Sequence, residues 1–449
     1  MSEKEFNYQV EIPAEFPGNG QDWANHIGHF WNANEQIQIV LEFEEELDID
    51  CIKKAVRLSV DAEPILGCKF ALDQCSPYWM RIKNIDDVEW CTFETVQDKD
   101  QSIKRILAQP FECEDHQLKV NVIRSKNRDT LCIKLNHSCC DGGGAKDYLH
   151  LLSGIYMHLC EDISYIPKTN IAGKRDASKL FQVLNISDPK ILIDPQVAAL
   201  KPTWAFPYKE KKIKNFSFSI CRLDGYQVRL LYSFTRETGV TINDLILTAF
   251  YRTMFIMVHP EETEPMEICV TVDLRRYLPE KKADAICNLS GVINHRIALK
   301  DGEDSQSTLK RVSLVMNQVK NNNPGLHSAA SMEMMAGMEY EKAAAFIRKA
   351  WEDSVKSGKS TINLSNMGII ADYPLKFGSA IAKEAYMVTP AFQSPSFMLG
   401  VSSYHDALTF TAGYCQPEID KEDVETFFAI LQKELLSFIV CPAGARSNG

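Results

Sequence analysis

Residues 137–144 read His137-Ser-Cys-Cys-Asp141-Gly-Gly-Gly144 and join two segments of different hydrophobic period. Before them, over residues 129–136, leucine and isoleucine alternate with other residues, as in a β-strand with a buried face. After them, apolar residues recur every three or four positions through residue 159, as on one face of an α-helix. The pattern predicts that this polar, glycine-rich stretch lies where a strand passes into a helix.

The surrounding sequence also alternates between strand and helix patterns. Residues 117–125 form another alternating segment and predict an antiparallel partner for residues 129–136. Further strands are predicted at residues 41–47, 64–70, 216–223, 266–273, 361–365 and 408–414, and helices at residues 48–61, from residue 241 onwards and at 421–439. Asp48 or Asp50 is a possible N-cap for the first of these helices, and Thr241 or Asn243 for the second.

His137 and its neighbours have the residue types of an acid–base site. A neutral histidine can accept a proton, and acyl transfer needs such a base because an alcohol or amine attacks a thioester poorly while it keeps its proton. The glycines let the backbone approach a substrate and place helix N-terminal N–H groups near developing negative charge. A hydrogen-bonded histidine on a polar turn, with glycines that serve the turn alone, explains the same residues.

Residues 136–142, Asn-His-Ser-Cys-Cys-Asp-Gly, resemble the H-H-x-x-x-D-G motif of the condensation domains of nonribosomal peptide synthesis. The same motif marks related acyltransferases of the polyketide-associated, wax-ester/diacylglycerol and alcohol acetyltransferase types. Other stretches are similar to further family segments and come in the family's order. They are residues 47–66 (first helix and H-P-I-L start), 241–244 (V-N-D), 270–279 (D-L-R) and 365–368 (S-N-x-G), and the resemblance covers roughly residues 40–415.

The resemblance implies roles for individual residues. His137 stands at the position of the family's general base, and Asn136 replaces the first histidine of the motif. Asp141 stands at the position of a structural aspartate that pairs with the arginine of the D-L-R segment, here Arg275. Such a pair is physically expected because a buried carboxylate without a partner is costly. Glu63 stands where the family has the histidine of its H-P-I-L segment, which is a departure from the pattern.

Three further residues are candidates for oxyanion or substrate contacts: Gly142, Ser365 and Asn366. The motif leaves the positions of Cys139 and Cys140 variable. A cysteine close to a base could in principle form an acyl-enzyme. We expect direct transfer instead, with both thiols packed as small apolar groups under the turn.

The resemblance also implies an α/β fold with two chloramphenicol acetyltransferase-like halves, each a mostly antiparallel or mixed sheet flanked by helices. Proline recurs and periodicity fades over residues 161–212. We therefore expect an N-terminal half with the H-x-x-x-D-G motif over residues 1–160, a linker or crossing segment over residues 161–212, and a C-terminal half over residues 213–449. The active site should lie in a tunnel between the halves, beside His137.

The composition limits the partners. A formal net charge of −11 argues against nucleic acid or an anionic membrane as the main partner. The most apolar long window, residues 239–258, contains charged residues and predicts a buried helix rather than a membrane span. The 14 cysteines include no C-x-x-C pair. This pattern argues against a zinc site and predicts a reducing, cytoplasmic environment.

Two other stretches resemble functional motifs but lack essential residues. The segment Ser357-Gly-Lys-Ser360 resembles the end of a P-loop, but Asp353 stands where the first glycine is required. His26 and His29 form an H-x-x-H pair without the adjacent glutamate of a zinc protease and without an evident third ligand. No metal site is therefore predicted.

The predicted activity is the transfer of an acyl group from a thioester donor to a hydroxyl or amine acceptor. Coenzyme A or a phosphopantetheine arm would carry the acyl group as substrate, and no permanently bound cofactor is predicted. The expected partners are the small-molecule donor and acceptor, with an acyl carrier protein as a further candidate. Two alternatives remain open: a stand-alone condensation enzyme that acts on carrier-bound substrates, and a non-catalytic binding module of the same fold.

Overall fold

The computed structural model describes residues 11–72, 77–111, 116–193, 201–209, 215–321 and 323–439. These residues form two six-stranded sheets, one three-stranded sheet and 11 α-helices. The predicted class, α/β with two mostly antiparallel or mixed sheets flanked by helices, is therefore confirmed. In the numbering used below, strands β1–β15 and helices α1–α11 follow the order of the chain.

The first six-stranded sheet contains the strand that leads into the glycine-rich motif. Its strands, in spatial order, are β12 (Lys376–Phe377), β13 (Ala380–Val388), β2 (Gln36–Phe43), β7 (Arg128–Asn136), β6 (Leu118–Ser125) and β5 (Cys91–Thr95). Neighbouring strands are antiparallel except for β5 and β6, which are parallel. The predicted hairpin of residues 117–136 is confirmed as β6 and β7. The helices of this region are α2 (Ile49–Ala62), α3 (Lys99–Ala108) and α4 (Gly142–Glu161).

One predicted strand of this region is displaced. The strand predicted at residues 41–47 is β2, Gln36–Phe43, because its ladder with β7 ends there and Glu44–Glu46 are exposed beyond it. Residues 64–70 are expected to be a strand that leaves a turn, and the strand begins at Cys68, directly after the 3₁₀ turn Pro64–Gly67. Helix α2 begins after Asp48, whose carboxylate accepts a hydrogen bond from the N–H of Cys51, as one of the two predicted caps requires.

The second six-stranded sheet contains the remaining predicted strands. Its spatial order is β10 (Ser290–Ala298), β9 (Pro265–Asp273), β11 (Ile362–Ile369), β14 (Phe397–Tyr404), β15 (Ala407–Gln416) and β8 (Asn215–Leu223). Strand β11 is parallel to both of its neighbours, and the other pairs are antiparallel. The helices packed with it include α6 (Gly225–Thr238), α7 (Ile242–Val258), α8 (Ser305–Lys320) and α11 (Lys421–Leu436). Helix α7 is capped by Thr241, one of the two predicted caps.

The remaining elements complete the layer around both sheets. A three-stranded sheet has the order β1 (Glu15–Pro17), β4 (Pro77–Arg81) and β3 (Cys68–Leu72). The other helices are α1 (Gly20–Gly28), α5 (Ser178–Val183), α9 (Leu326–Ala336) and α10 (Tyr340–Ser357). Among the described residues, no single helix is long and apolar enough to cross a membrane. Helices α6 and α7 reach that length and hydrophobicity only when taken together, and they are bent by 107° relative to each other.

Strand β13 links the two large sheets. It lies C-terminal to most of the second sheet in sequence, yet it pairs with β2 in the first sheet, with Tyr386 opposite Val40. Its Met387 N–H donates to the hydroxyl of Ser402 at 3.0 Å, and its Met387 carbonyl accepts from Thr411 at 3.1 Å, so it also contacts the second sheet. The division expected around residues 161–212 does not predict that a strand from the C-terminal part of the chain pairs with the sheet of the N-terminal part.

Two positions in the first turn of α4 have no room for a side chain. A Cβ on Gly143 would lie 2.3 Å from Nη1 of Arg275. A Cβ on Gly144 would lie 2.8 Å both from the carbonyl oxygen of Cys287 and from Cβ of Cys140. Further along the same helix, a Cβ on Gly154 would meet nothing within 4 Å. Gly143 and Gly144 are therefore required by close packing, whereas Gly154 is not.

Two glycine-to-alanine substitutions in α4 should have opposite effects on the free energy of unfolding. Gly144→Ala should lower it by about 1–3 kcal/mol because the added methyl overpacks the helix start. Gly154→Ala should raise it by about 1 kcal/mol because alanine favours the helical conformation more than glycine does. Chemical denaturation of both variants measures the free energy of unfolding. A change of the same sign in both variants would contradict the difference in packing between the two positions.

Candidate active site

A cavity between the two large sheets gathers most of the predicted site residues. It has a volume of about 100 Å³. The predicted residues that line it are His137, Asp141, Gly142, Ser365 and Asn366. Arg275 lies behind them, in contact with Asp141. The structure therefore brings together residues that are more than 220 positions apart in sequence.

His137 follows directly after β7 and is held on its main chain and its ring. Its N–H donates to the carbonyl of Glu35 at 2.8 Å. Its carbonyl accepts from the side-chain amides of Asn25 and Asn288, each at 2.9 Å. Ring atom Nδ1 lies 3.0 Å from the amide nitrogen of Asn25. Within the described part of the chain, Nε2 has no hydrogen-bond partner, so Nε2 is the ring atom left for a substrate.

The amide of Asn25 bears on the tautomer of this histidine. Its nitrogen carries two hydrogens and has three acceptors in range: His137 Nδ1, the His137 carbonyl, and Oδ1 of Asn288 at 3.3 Å. An amide nitrogen does not accept a hydrogen bond, so a hydrogen on Nδ1 would face this nitrogen without an acceptor. With Asn25 in this orientation, one amide hydrogen points at Nδ1 and the ring proton is on Nε2. Nε2 of the neutral ring presents a lone pair to the cavity only when the Asn25 amide is turned so that its oxygen accepts from the Nδ1 N–H.

Glu35 is a second ionisable group beside His137. Burial raises the pKa of Glu35 to about 7, against the opposing effect of His137, which favours the charged carboxylate. The side chain is held close to α1, where a Cβ on Gly28 would lie 2.8 Å from Oε1. The site therefore contains a buried acid that changes its charge near neutral pH, in addition to the histidine.

Asp141 and Arg275 form a buried ion pair. Nη1 of Arg275 lies 3.0 Å from the carboxylate, and both side chains are 5% exposed. The carboxylate also accepts from the N–H groups of Gly144 and Leu289, each at 2.8 Å, so it caps α4 and contacts the start of β10. Burial alone would raise the pKa of Asp141, but the charge and hydrogen bond of Arg275, together with these N–H groups, lower it below its ordinary value.

A second buried ion pair supports the motif from the other side. Arg175 contacts both carboxylate oxygens of Asp22, at 2.7 and 3.1 Å. The same guanidinium donates to the carbonyls of Cys139 at 2.7 Å and Ile286 at 3.0 Å. Asp22 also accepts from the amide of Asn288 at 3.2 Å. Arg175 lies in the segment expected to be a linker, and its contacts tie α1, the motif and residues preceding β10 together.

Ser365 and Asn366 differ in how far their polar groups are already engaged. The Ser365 hydroxyl oxygen accepts from Thr271 at 3.3 Å, which leaves its own proton available to a ligand. The Asn366 amide donates to Asn243 at 3.2 Å, and its oxygen accepts from the N–H of Gly368 at 3.0 Å. Ser365 is therefore the better placed of the two to donate to an oxyanion.

The start of α4 offers a further source of donors to the same cavity. Gly142 and Gly143 both line the cavity, and both lie in the first turn of the helix. The N–H groups of a first turn have no partner within the helix and favour negative charge. The predicted contact residue Gly142 is thus in a position that suits an anionic group.

The cysteines and histidines noted in the sequence lie in packed surroundings. Cys139 and Cys140 are fully buried, and a hydrogen bond that the Cys140 thiol donates to Cys139, together with burial, raises the pKa of Cys140. His26 packs against Phe70 with ring centroids 4.4 Å apart, and burial, together with the neighbouring His29, lowers the pKa of His26 to about 4. Across the part of the chain that the structure describes, no group of three or more histidine, cysteine, aspartate or glutamate side chains is placed to hold a metal ion.

The sequence did not single out several residues that shape the site: Asn25, Asn288, Asp22 and Arg175. A capping box joins Asn19 and Asp22, and that spacing could have located the start of α1. No local pattern shows that α1 packs against the motif, because Asn25 and His137 are 112 positions apart.

The fold of the chain is shared with solved acyltransferases and condensation domains. The trichothecene 15-O-acetyltransferase of Fusarium sporotrichioides superposes with a TM-score of 0.70 at 11% identity, over 94% of this chain and 95% of that one. The first condensation domain of the CDA synthetase gives 0.67 at 14% identity, over 96% and 97%. The polyketide synthase associated protein 5 of Mycobacterium tuberculosis gives 0.64 at 12% identity, over 94% and 100%. No protein-family model and no curated protein matches the sequence.

These likenesses establish the fold that the sequence resemblance implied. Each superposition covers almost the whole of both chains, so the similarity is not confined to one half. At 11–14% identity, the similarity establishes architecture and leaves the chemistry to be argued from the cavity itself.

Loss of the buried ion pair should destabilise the protein much more than loss of an exposed one. Asp141→Asn should lower the free energy of unfolding by about 3–5 kcal/mol because it leaves Arg275 buried without its counter-ion. The matched control is Asp406→Asn, which removes the exposed partner of Arg229 and should cost under about 1 kcal/mol. Urea denaturation at neutral pH measures the free energy of unfolding of both variants. Equal losses would show that the buried ion pair contributes no more to stability than the exposed one.

The advantage of the wild-type protein over Asp141→Asn should depend on pH in one direction. A carboxyl group whose pKa is lower in the folded state stabilises the fold fully above its unfolded value, which is about 3.9 for aspartate. That contribution is lost as the pH falls through the lower folded value. The difference in the free energy of unfolding between the two proteins should therefore be constant between about pH 6 and about pH 8. It should shrink below about pH 4. A difference that grew on acidification would contradict this assignment.

Proposed function

We propose that this protein transfers an acyl group from a thioester to a hydroxyl or amine, with His137 as the general base. The observation that carries the proposal is the position of His137. It is half-buried, lines the cavity between the sheets together with the start of α4 and Ser365, and has Nε2 without a protein partner among the described residues. A base and hydrogen-bond donors that line one cavity are components that acyl transfer requires.

The proposed reaction proceeds by direct attack. Nε2 of His137 takes the proton of the acceptor as its oxygen or nitrogen bonds to the thioester carbonyl carbon. The carbonyl oxygen becomes an oxyanion, which accepts a hydrogen bond from the hydroxyl of Ser365, with the first turn of α4 nearby. The intermediate then collapses, the carbon–sulfur bond breaks, and the leaving thiolate takes the proton from His137. This sequence requires the tautomer with the hydrogen on Nδ1, in which the amide oxygen of Asn25 accepts from the Nδ1 N–H.

Asp141 and Arg275 support this site without taking part in the proton transfer. Their hydrogen bonds fix the start of α4 and the approach of β10, which are two walls of the cavity. We propose no permanently bound cofactor and no metal, with the thioester donor and its acceptor as substrates. Eleven described cysteines are all free thiols, which supports a reducing, cytoplasmic location as part of the proposal.

The identity of the donor separates the first proposal from the second candidate. The second candidate is a stand-alone condensation enzyme on carrier-bound substrates, and the likeness to the condensation domain of the CDA synthetase favours it. Thiol release measured with acyl-coenzyme A donors and with acyl-carrier donors, each with a library of alcohols and amines, distinguishes them. Turnover with coenzyme A thioesters alone supports the first. Binding of donors with no release of thiol in any combination would indicate a non-catalytic module.

Removal of the proposed base should abolish most of the activity and leave the fold intact. His137→Ala should lower kcat by about 10²–10⁴-fold because the acceptor then lacks a group to take its proton. His158→Ala is the control, since His158 is exposed near the other end of α4. Steady-state thiol release and the melting temperature are measured for both. Turnover at the wild-type rate in His137→Ala would exclude His137 as the base.

Direct transfer should leave no acyl group on the protein. Cys139 and Cys140 are buried beneath the turn, so neither thiol is exposed to a donor in the cavity. Intact-mass spectrometry of the enzyme mixed with donor alone should show the unmodified mass, and a Cys139→Ala, Cys140→Ala double variant should keep its activity. An adduct on either cysteine that forms and decays at the turnover rate would contradict direct transfer.

A further inference from the structure

A second, larger cavity lies along the edge strand β10 and α9. It has a volume of about 790 Å³, within the range of about 300–1,000 Å³ that is usual for small-molecule sites. Apolar side chains dominate its walls, among them Val292, Leu326, Met332, Phe346 and Ile191. We call this cavity the β10 groove.

The β10 groove and the catalytic cavity share one face of the β9–β10 pair. Thr271, Asp273 and Ser290 line the catalytic cavity, and Val292 lines the groove. Val292 is directly opposite Thr271 in the ladder, and Ser290 is opposite Asp273. Ser290 and Val292 are two residues apart, so their side chains point to the same side at a spacing of about 7 Å. The two cavities are therefore neighbours on a continuous surface.

Two serine hydroxyl groups at the groove are engaged with nearby groups of the protein. The hydroxyl of Ser328 accepts from the N–H of Val292 at 2.8 Å and donates to the carbonyl of Gly325 at 2.9 Å. The hydroxyl of Ser331 donates to the carbonyl of His327 at 3.0 Å. By contrast, several apolar side chains are exposed to water: Val292 by 38%, Phe346 by 66% and Ile191 by 73%. The groove therefore offers burial to an apolar ligand.

We propose that the β10 groove binds the aliphatic chain of the acyl donor, an inference that rests on the proposed acyl transfer. Thr271 donates to Ser365, so an oxyanion at Ser365 lies beside Thr271 and hence beside its cross-strand neighbour Val292. A chain that leaves the carbonyl carbon on that side meets the groove first. The substrate class is therefore a thioester whose aliphatic acyl chain is long enough to reach the groove.

The chain-length dependence of turnover tests this assignment. In the wild-type protein, kcat/KM should rise from acetyl- to octanoyl-coenzyme A, by up to roughly fourfold for each methylene that is buried. Val292→Phe fills the groove and should lower kcat/KM for octanoyl-coenzyme A by about tenfold or more, with little change for the acetyl donor. Ile220→Phe is the control, because Ile220 is 39% exposed on β8, the opposite edge strand of the same sheet.

Two outcomes of this series would overturn the proposal. In the first, Val292→Phe keeps the chain-length dependence of the wild-type protein. In the second, Val292→Phe changes the dependence of kcat/KM on the chain length of the acceptor alcohol and not on that of the donor. That result would assign the groove to the acceptor.

A labelling experiment makes the test independent of turnover. Decanoic acid with a terminal diazirine should, on irradiation, label peptides of β10 and α9 in the wild-type protein and in Ile220→Phe. Labelling there should be lost in Val292→Phe. Label at these peptides with no thiol release from any donor would reject the proposed acyl transfer and keep the groove as a site for an apolar chain. Label elsewhere, or label unchanged in Val292→Phe, would reject the groove itself.

Discussion

The ion pair between Asp141 and Arg275 is the constraint on which the rest of the site depends. One carboxylate caps α4, accepts from the N–H of Leu289 before β10, and neutralises a guanidinium that also donates to the carbonyl of Cys287 at 3.0 Å. Each of these groups is buried, so each would be costly without its partner. The pair therefore sets the distance between the helix that begins after the motif and the strands of the second sheet. The cavity that contains His137 is the space left between them.

The composition of the motif follows from this arrangement. Arg275 and the carbonyl of Cys287 approach the first turn of α4 so closely that only glycine fits at 143 and 144. Arg175 holds the carbonyl of Cys139 from the opposite side and is neutralised by Asp22. With both sides of the turn fixed by buried charges, the ring of His137 is oriented by Asn25, and its Nε2 has no hydrogen-bond partner among the described residues. A precise site is thus built from backbone contacts and two ion pairs, with few of its residues adjacent in sequence.

The second sheet supplies the surface on which substrates would lie. Strands β9 and β10 present one face to both the catalytic cavity and the β10 groove, so a change along β10 can alter chain selectivity without touching His137. This separation suits a fold that occurs in proteins as different as a trichothecene acetyltransferase and a condensation domain. In this chain the fold places His137, the proposed base, apart from the side chains along the edge strand β10.

Features that depend on residues a few positions apart could be predicted from the sequence. The β6–β7 hairpin, the strand-to-helix junction at the motif and the caps of α2 and α7 follow from local period and capping chemistry, which short segments contain in full. The bounds of β2 could not be predicted, because its ladder with β7 decides where it ends. The same holds for Asn25, for Arg175 and for the transfer of β13 to the first sheet. These features arise from contacts between residues more than 100 positions apart, whose energy exists only once the chain has folded around them.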